Sequence, residues 1–133
     1  MKLKIKEMKK INVLIMFLTL TSAMAYAQSS IVGKTNKIGN IEIAQFDFPE
    51  KMNLKQAENA CKTLGNGWRL ATITESKILF QNKNRISNIK NDIYWCAKDE
   101  YGDPWRFSFV NGIKMLSLGN VNSKYYVRAV KTN

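Results

Sequence analysis

The chain has 133 residues, with 21 Lys or Arg, 10 Asp or Glu, two Cys, no His and a formal net charge of +11. This length is enough for one domain, and the 45% hydrophobic content is typical of a globular rather than a disordered protein. Because His is absent, Ser-His-Asp triads, Cys-His triads and His-ligated zinc are excluded, and two Cys are too few for a four-cysteine zinc site.

The first 27 residues have the pattern of a signal peptide. Five Lys within the first ten residues precede an apolar run at 11–20, and small residues follow up to Ala25-Tyr26-Ala27. The apolar run is shorter than the roughly 18–20 residues that span a bilayer. We therefore expect cleavage after Ala27, export to the periplasm or the extracellular medium, and no transmembrane segment in the mature chain. The start of the leader stays open between Met1 and Met8.

Removal of the leader lowers the net charge. The leader contains five of the 21 basic residues and one of the 10 acidic residues, so residues 28–133 carry +7. Part of the basic charge therefore belongs to targeting, which weakens the case for a polyanionic partner. Export also argues against intracellular nucleic acid as a partner.

Export also bears on the interpretation of the two cysteines. In an oxidising compartment, Cys61 and Cys96 are candidates for a disulfide. Such a bond would close a loop of about 35 residues and stabilise the fold by about 3–4 kcal/mol. The alternative is that each cysteine is a small, buried, apolar side chain. The sequence does not decide between these two interpretations.

We predict a single domain over residues 40–133. The preceding residues, 28–39, are polar and have no periodicity, so they are predicted to form a flexible lead-in. Apolar and polar residues alternate from Ile41 towards Phe48, which predicts a strand that Pro49 ends.

Two helices follow this strand. Asn53 is a favourable N-cap for a helix that extends to about Leu64. A second helix begins near Thr72, where Thr72 and Glu75 have the spacing of a capping box, and it ends at about residues 82–84.

The rest of the chain is predicted to form about four antiparallel strands. Asn111-Gly112 is the strongest short hairpin signal and joins two of them. The strand segments are 93–97, 105–110, 113–118 and 124–131. The order of the elements predicts an α+β fold in which two helices pack on one side of a small antiparallel sheet.

Five short blocks of the sequence occur in a characteristic order. They are AENACKTLG at 57–65, GWRLATITE at 67–75, YW at 94–95, WRFSFVNG at 105–112 and YVRAV at 126–130. Together they resemble the Lcl C-terminal domain family of secreted bacterial proteins, whose fold is C-type-lectin-like and is shared with formylglycine-generating-type domains. Ala71 stands where that family usually has Pro.

We predict structural roles for the polar and aromatic residues in these blocks. Arg69 is expected to tie the turn between the helices to nearby carbonyls or to Glu75, and Arg128 is expected to form an ion pair. The tryptophans are expected to anchor the core. The predicted structural motif consists of Trp68, Arg69, Glu75, Trp95, Asn111, Gly112 and Arg128.

The sequence departs from calcium-dependent lectins in two respects. The Glu-Pro-Asn or Gln-Pro-Asp motif and the Trp-Asn-Asp motif, which carry the calcium ligands in those lectins, do not occur. The last predicted strand contains no Cys with which a helix Cys could pair. We therefore predict no metal, no cofactor and no lectin-type disulfide.

The resemblance and these departures together predict a non-catalytic binding module for a carbohydrate or a protein. In this fold the loops between the later strands form the variable surface, and here these loops are 98–104 and 119–123. Within them, carboxylate oxygens and aromatic faces are available for ligand contact. The candidate ligand-binding residues are Asp99, Tyr101, Asp103 and Trp105.

Two alternatives stay open. The stretch 77–90 is basic because of Lys77, Lys83, Arg85 and Lys90, so the protein could adhere to anionic envelope polymers or extracellular nucleic acid. A relative of formylglycine-generating enzymes would hold copper with paired cysteines. The chain offers no other recognisable base or nucleophile, and we expect no enzymatic activity.

Overall fold

The structure, a computed structural model, describes residues 30–133. The predicted signal peptide and the first two residues of the predicted lead-in lie outside the described residues. Ile31–Asn133 forms one structural unit.

The described residues form two helices and two antiparallel sheets. The elements are β1 (Asn36–Ile38), β2 (Ile41–Ile43), α1 (Leu54–Thr63), β3 (Arg69–Leu70), α2 (Ile73–Gln81), a 3-10 turn (Lys83–Arg85), β4 (Ile93–Trp95), β5 (Trp105–Ser108), β6 (Lys114–Leu116) and β7 (Ala129–Thr132). One sheet has the order β1-β2-β7-β3 and the other the order β4-β5-β6. The mixture of helices and antiparallel strands is confirmed, but the prediction of a single sheet is wrong.

The two helices begin at the predicted residues for the predicted reason. The side chain of Asn53 accepts a hydrogen bond from the backbone N–H of Gln56, and the Gln56 side chain accepts one from the backbone N–H of Asn53. Thr72 and Glu75 make the same reciprocal pair at the start of α2. Each pair satisfies two N–H groups that a helix start otherwise leaves without a partner.

The strands differ in extent from the predicted segments: β4, β5 and β6 are shorter, and β3 is a strand that the sequence does not predict. β1 lies inside the segment 28–39, which the sequence predicts to be flexible. The segment after Ile43 leaves the strand conformation well before Phe48, and β7 starts only at Ala129. Strands of two to four residues hold too few side chains to display an alternation, so their extent depends on pairing with distant segments.

The two helices pack on opposite faces of the four-stranded sheet. Ala129 and Val130 are neighbours in β7, so their side chains point to opposite faces, and they belong to different buried clusters. Leu79 of α2 lies in the cluster that contains Val130, whereas Leu54 and Ala57 of α1 lie in the cluster that contains Ala129. The prediction that both helices pack on one side of a sheet is therefore wrong.

We name these clusters after their largest central residues. The Phe107 cluster contains Ile38, Ile41, Ile43, Ala71, Leu79, Ile86, Tyr94, Cys96, Phe107, Phe109 and Val130. The Trp95 cluster contains Ala44, Phe48, Leu54, Ala57, Cys61, Leu64, Trp68, Leu70, Trp95, Val127 and Ala129. Together they form the apolar interior on which both sheets rest.

The two cysteines are free thiols and do not form the candidate disulfide. Cys61 lies in the Trp95 cluster and Cys96 in the Phe107 cluster, so each is a small buried side chain, as in the second interpretation above. Burial raises the pKa of each thiol to about 12. The resulting thiols are neutral and poorly nucleophilic at physiological pH.

This arrangement predicts the outcome of thiol titration. Without a reductant, the denatured protein should react with a thiol reagent at both cysteines, and the native protein should react far more slowly because the two side chains are 1% and 0% exposed. The measurement is the rate and extent of reaction with DTNB, with and without denaturant. Denatured protein that offers no reactive thiol would show that a disulfide has formed.

A second prediction concerns Gly112, which lies in the loop between β5 and β6. Its φ is +75°, and a Cβ atom at this position would lie 2.6 Å from Cε1 of Phe80. Gly112→Ala should therefore lower the free energy of unfolding by about 3 kcal/mol, with about 1 kcal/mol from the left-handed backbone and the rest from overpacking.

Gly39→Ala is the matched control in a chemical denaturation experiment. Gly39 has a similar φ of +59°, but a Cβ there would meet nothing within 4 Å. The Gly39→Ala variant should therefore lose only about 1 kcal/mol of the free energy of unfolding, the contribution of the left-handed backbone. Equal losses of unfolding free energy in the two variants would show that the Phe80 ring moves aside without an energetic cost.

Candidate functional site

Asp99 holds the loop 98–104 in a fixed conformation. One of its carboxylate oxygens accepts hydrogen bonds from the backbone N–H groups of Tyr101 and Asp103, at 3.0 and 2.9 Å. The other accepts from Nε1 of Trp105 at 2.9 Å. The Trp105 hydrogen bond, followed by those from the backbone, lowers the pKa of the Asp99 carboxyl. Asp99 therefore acts within the loop, and its oxygens are already used.

The other three candidate residues differ in how open they are. Tyr101 is 81% exposed at the tip of the loop. Trp105 packs partly against the Phe107 cluster, and the Lys114 Nζ lies 5.0 Å from the centroid of its ring. Within residues 30–133, the Asp103 carboxylate makes no hydrogen bond or ion pair that the structure records. Of the two aromatic side chains, Tyr101 is the one with a free face.

The two predicted binding loops meet around Lys98. A hollow of about 540 Å³ lies between the start of α1 and the second loop, and a smaller one of about 300 Å³ lies between the start of α2 and the first loop. Lys98 lines both, and its Nζ lies 3.7 Å from a carboxylate oxygen of Glu58. The side chains around the larger hollow are Asn53, Leu54, Lys55, Glu58, Asn59, Lys98, Val121 and Asn122.

Six of the eight residues that line the larger hollow are polar. Amides, a carboxylate and two ammonium groups surround it, and only two of the eight lining residues are apolar. Such a surface can donate and accept several hydrogen bonds at once. The sequence prediction named the two loops but missed Lys98, Asn53 and Asn59, because their convergence depends on where α1 packs.

Arg69 and Glu75 form a two-point ion pair beside the first turn of α2. Nη1 and Nη2 of Arg69 lie 2.7 and 3.0 Å from the two carboxylate oxygens of Glu75. Arg69 also donates to the Leu70 carbonyl oxygen and to the Thr132 hydroxyl, at 3.1 and 2.7 Å. Burial alone would raise the pKa of Glu75, but the hydrogen bonds from Arg69 and Thr72 outweigh it, and the net shift is downwards. The pair joins β3, α2 and β7.

Arg128 is a buried cation whose side chain is satisfied entirely within the protein. Its Nε donates to Oδ1 of Asp47 at 2.7 Å, and both side chains are less than 5% exposed. Its Nη1 donates to the carbonyl oxygens of Ala44 and Ser87, at 3.0 and 2.9 Å. Its Nη2 donates to the Asn88 carbonyl oxygen at 2.9 Å.

The second oxygen of Asp47 completes this network. It accepts a hydrogen bond from the Tyr94 hydroxyl at 2.8 Å and one from the Lys90 Nζ at 3.1 Å. Burial, followed by the nearby Asp47 charge, raises the pKa of Tyr94 far above its usual value. The sequence prediction missed Asp47. Two features of the sequence could have indicated its role. Asp47 lies between two phenylalanines, and Arg128 of the last predicted strand needs an acidic partner.

The remaining motif residues lie in the core or the hairpin loop. Trp95 is 2% exposed, its Nε1 donates to the Met52 carbonyl oxygen at 2.7 Å, and its ring meets Tyr125 edge to face. Trp68 is buried in the same cluster. In the hairpin loop, the Asn111 side-chain oxygen accepts from the backbone N–H of Ile113. None of these groups faces the Lys98 hollows.

Three of the four cations in the basic stretch 77–90 contact neighbouring groups, and one of these contacts, from the Arg85 Nη1 to the Asn82 side-chain oxygen at 3.4 Å, is exposed. Lys90 pairs with Asp47 as described above, and the Lys83 Nζ lies 3.3 Å from the Asn91 side-chain oxygen and 3.4 Å from the Phe109 carbonyl oxygen. Their positive charge is therefore partly directed inwards.

The Asp47–Arg128 pair predicts a large and specific loss of stability on substitution. Asp47→Ala leaves the Arg128 guanidinium buried without a counter-charge, so the free energy of unfolding should fall by about 3–5 kcal/mol. Glu50→Ala is the control, since Glu50 is an exposed carboxylate three residues away, and it should change stability by less than about 0.5 kcal/mol. Urea unfolding followed by tryptophan fluorescence measures both. Similar losses in the two variants would contradict the assigned role.

Comparisons with known proteins give a limited likeness. No family model and no curated protein matches the chain. In the described residues, no group of three or more Cys, Asp or Glu residues is placed to hold a metal ion, and no helix is long and apolar enough to cross a membrane. The chain is similar to the crystal structure of botrocetin, with 12% identity over 74% of this chain and 93% of that chain, and a TM-score of 0.47. A likeness of this size carries no argument about ligand or activity.

Proposed function

We propose that this chain is an exported, non-catalytic binding module of the C-type-lectin-like fold. We propose further that it binds a carbohydrate in the hollows around Lys98. The observation that carries the proposal is that Lys98 lines both hollows. Loop 119–123 contributes Val121 and Asn122 to the larger hollow only. The assignment to the C-type-lectin-like fold and to the Lcl C-terminal domain family rests on the five sequence blocks, and export rests on the predicted signal peptide.

Preorganisation of the first loop supports a binding role. Asp99 fixes the loop by hydrogen bonds to two backbone N–H groups and to Trp105. A loop that is already ordered loses little conformational entropy when a ligand binds. Tyr101 lines neither hollow. Its ring is 81% exposed at the tip of the same loop, and we propose it as a separate contact that stacks on the apolar face of a sugar ring.

The chemistry of the larger hollow favours a carbohydrate over a protein. Its volume of about 540 Å³ is within the range of small-ligand sites, about 300–1,000 Å³. Amide and ammonium groups outnumber apolar ones in its lining. A hydroxyl-rich ligand can satisfy these groups, whereas a protein surface would leave some of them desolvated without partners.

Three observations support the absence of catalysis. The sequence contains no His. The two thiols are buried in separate clusters, and their pKa values are raised to about 12. A copper site of the formylglycine-generating type needs paired, accessible thiolates, so this alternative has no support in the positions of Cys61 and Cys96.

A glycan array tests the proposal directly. The protein should retain binding to at least one immobilised oligosaccharide, and Lys98→Ala and Tyr101→Ala should each weaken that binding by about tenfold, which corresponds to the loss of about one hydrogen bond or stacking contact. The melting temperature should stay within about 2 °C, since both side chains lie on the surface.

Lys77→Ala is the matched control, because it removes the same charge from an exposed residue of α2 that lines neither hollow. Absence of binding to every immobilised glycan would contradict the proposal. Equal losses in Lys77→Ala and Lys98→Ala, together with a collapse of binding between about 50 and 200 mM salt, would favour adhesion to an anionic polymer instead.

A further inference from the structure

β6 is an outer strand with an open edge. It lies at one end of the sheet β4-β5-β6. At the other end, β4 is joined to the segment before β7, because the backbone N–H of Trp95 donates to the Tyr126 carbonyl oxygen and that of Tyr126 donates to the Ile93 carbonyl oxygen. Within residues 30–133, no segment pairs with the outer side of β6. An unpaired edge of this kind is a template for another strand.

Exposed apolar side chains concentrate around this edge. Leu116 is 44% exposed within the strand itself. Val110 and Ile113 lie in the hairpin before β6, and Leu118 lies two residues after it. An exposed leucine within an unpaired edge strand leaves that edge open to association.

The register of β5 and β6 identifies the backbone groups that face outwards. Arg106 is paired with Met115, the backbone N–H of Ser108 donates to the Ile113 carbonyl oxygen, and that of Ser117 donates to the Pro104 carbonyl oxygen. The odd-numbered residues of β6 therefore bond to β5. Because antiparallel pairing alternates, the N–H and C=O groups of the two even-numbered residues, 114 and 116, point away from the sheet.

We propose that β6 pairs in an antiparallel manner with β6 of a second copy of this chain. A two-fold axis at Met115 places Lys114 of each copy opposite Leu116 of the other. Both residues carry outward backbone groups, so they form hydrogen-bonded pairs, and the two three-stranded sheets join into one of six strands. This pairing places the exposed Leu116 side chain of each copy against the second copy.

Charge complementarity supports a second copy as the occupant. Lys114 lies near the hairpin end of β6, whereas Asp103 lies near the opposite end, because it precedes Pro104, whose carbonyl oxygen accepts from the backbone N–H of Ser117. The two-fold axis brings the Lys114 end of one copy to the acidic end of the other. The two lysines do not face each other directly, so the pairing avoids a like-charge contact across the strands.

The edge has few of the usual devices against such pairing. Natural edge strands are kept from pairing by being very short, or by an outward lysine, a proline or a bulge. β6 is short, with three residues, but it contains no proline. The one lysine of β6 does not cover the edge, since the Lys114 Nζ lies over the ring of Trp105, 5.0 Å from its centroid.

Sedimentation velocity over a range of concentrations tests the proposal. The purified protein should show a monomer–dimer equilibrium. Leu116→Pro removes an outward backbone N–H and leaves the hydrogen bonds to β5 in place. Each copy of the dimer loses one hydrogen bond across the interface, two in all. The dissociation constant of the dimer should therefore rise about tenfold or more. Leu116→Asp should abolish the dimer. Val110→Asp is the matched control, because Val110 is 63% exposed but lies outside the paired strand.

A charge exchange provides a second readout. Lys114→Glu should weaken the dimer, and the double variant Lys114→Glu with Asp103→Lys should restore it at least in part. Monomer at all concentrations up to about 1 mM, beyond which association is weaker than a specific interface gives, would overturn the proposal. So would a dimer that Leu116→Pro and Leu116→Asp leave unchanged, since it would use another surface.

Discussion

The ion pair between Asp47 and Arg128 is the interaction on which the arrangement of the two sheets depends. Arg128 lies just before β7 of the four-stranded sheet, and Asp47 accepts from Tyr94 of β4 in the three-stranded sheet. Burying a charged pair costs several kcal/mol in desolvation and is tolerated only when the remaining donors and acceptors are satisfied. Here three backbone carbonyl oxygens accept from Arg128, and Lys90 donates to Asp47. These hydrogen bonds hold the link between the two sheets in one geometry.

The charged residues of the sequence motif have structural roles. Contacts inside the domain engage Arg69, Glu75 and Arg128, and the tryptophans support the apolar clusters. The groups left open are those of the loop tips and of the first turns of the helices. Lys98 lines both hollows on this rigid scaffold, which is why we propose it as the centre of the binding surface.

Local signals in the sequence predict local structure well, but they do not predict contacts between residues that lie far apart in the chain. The capping residues Asn53 and Thr72 define both helix starts, since a cap acts over three residues. The strands of two to four residues, the division into two sheets and the placement of the helices on opposite faces depend on distant partners. The role of Asp47 escapes sequence-based prediction for the same reason, and the backbone partners of Asp99 cannot be read from side-chain chemistry.

The position of β7 bears on when the chain can fold. β7 lies between β2 and β3, and Ile41 is paired with Thr132, so the central strand of this sheet is synthesised last while its neighbours come early. Contacts of such high sequence separation form slowly, because a long loop must close before the pairing contributes stability. The four-stranded sheet cannot be completed until almost the whole domain is available. Until β7 is synthesised, β2 and β3 have no strand between them, so their place in this sheet depends on residues 129–132.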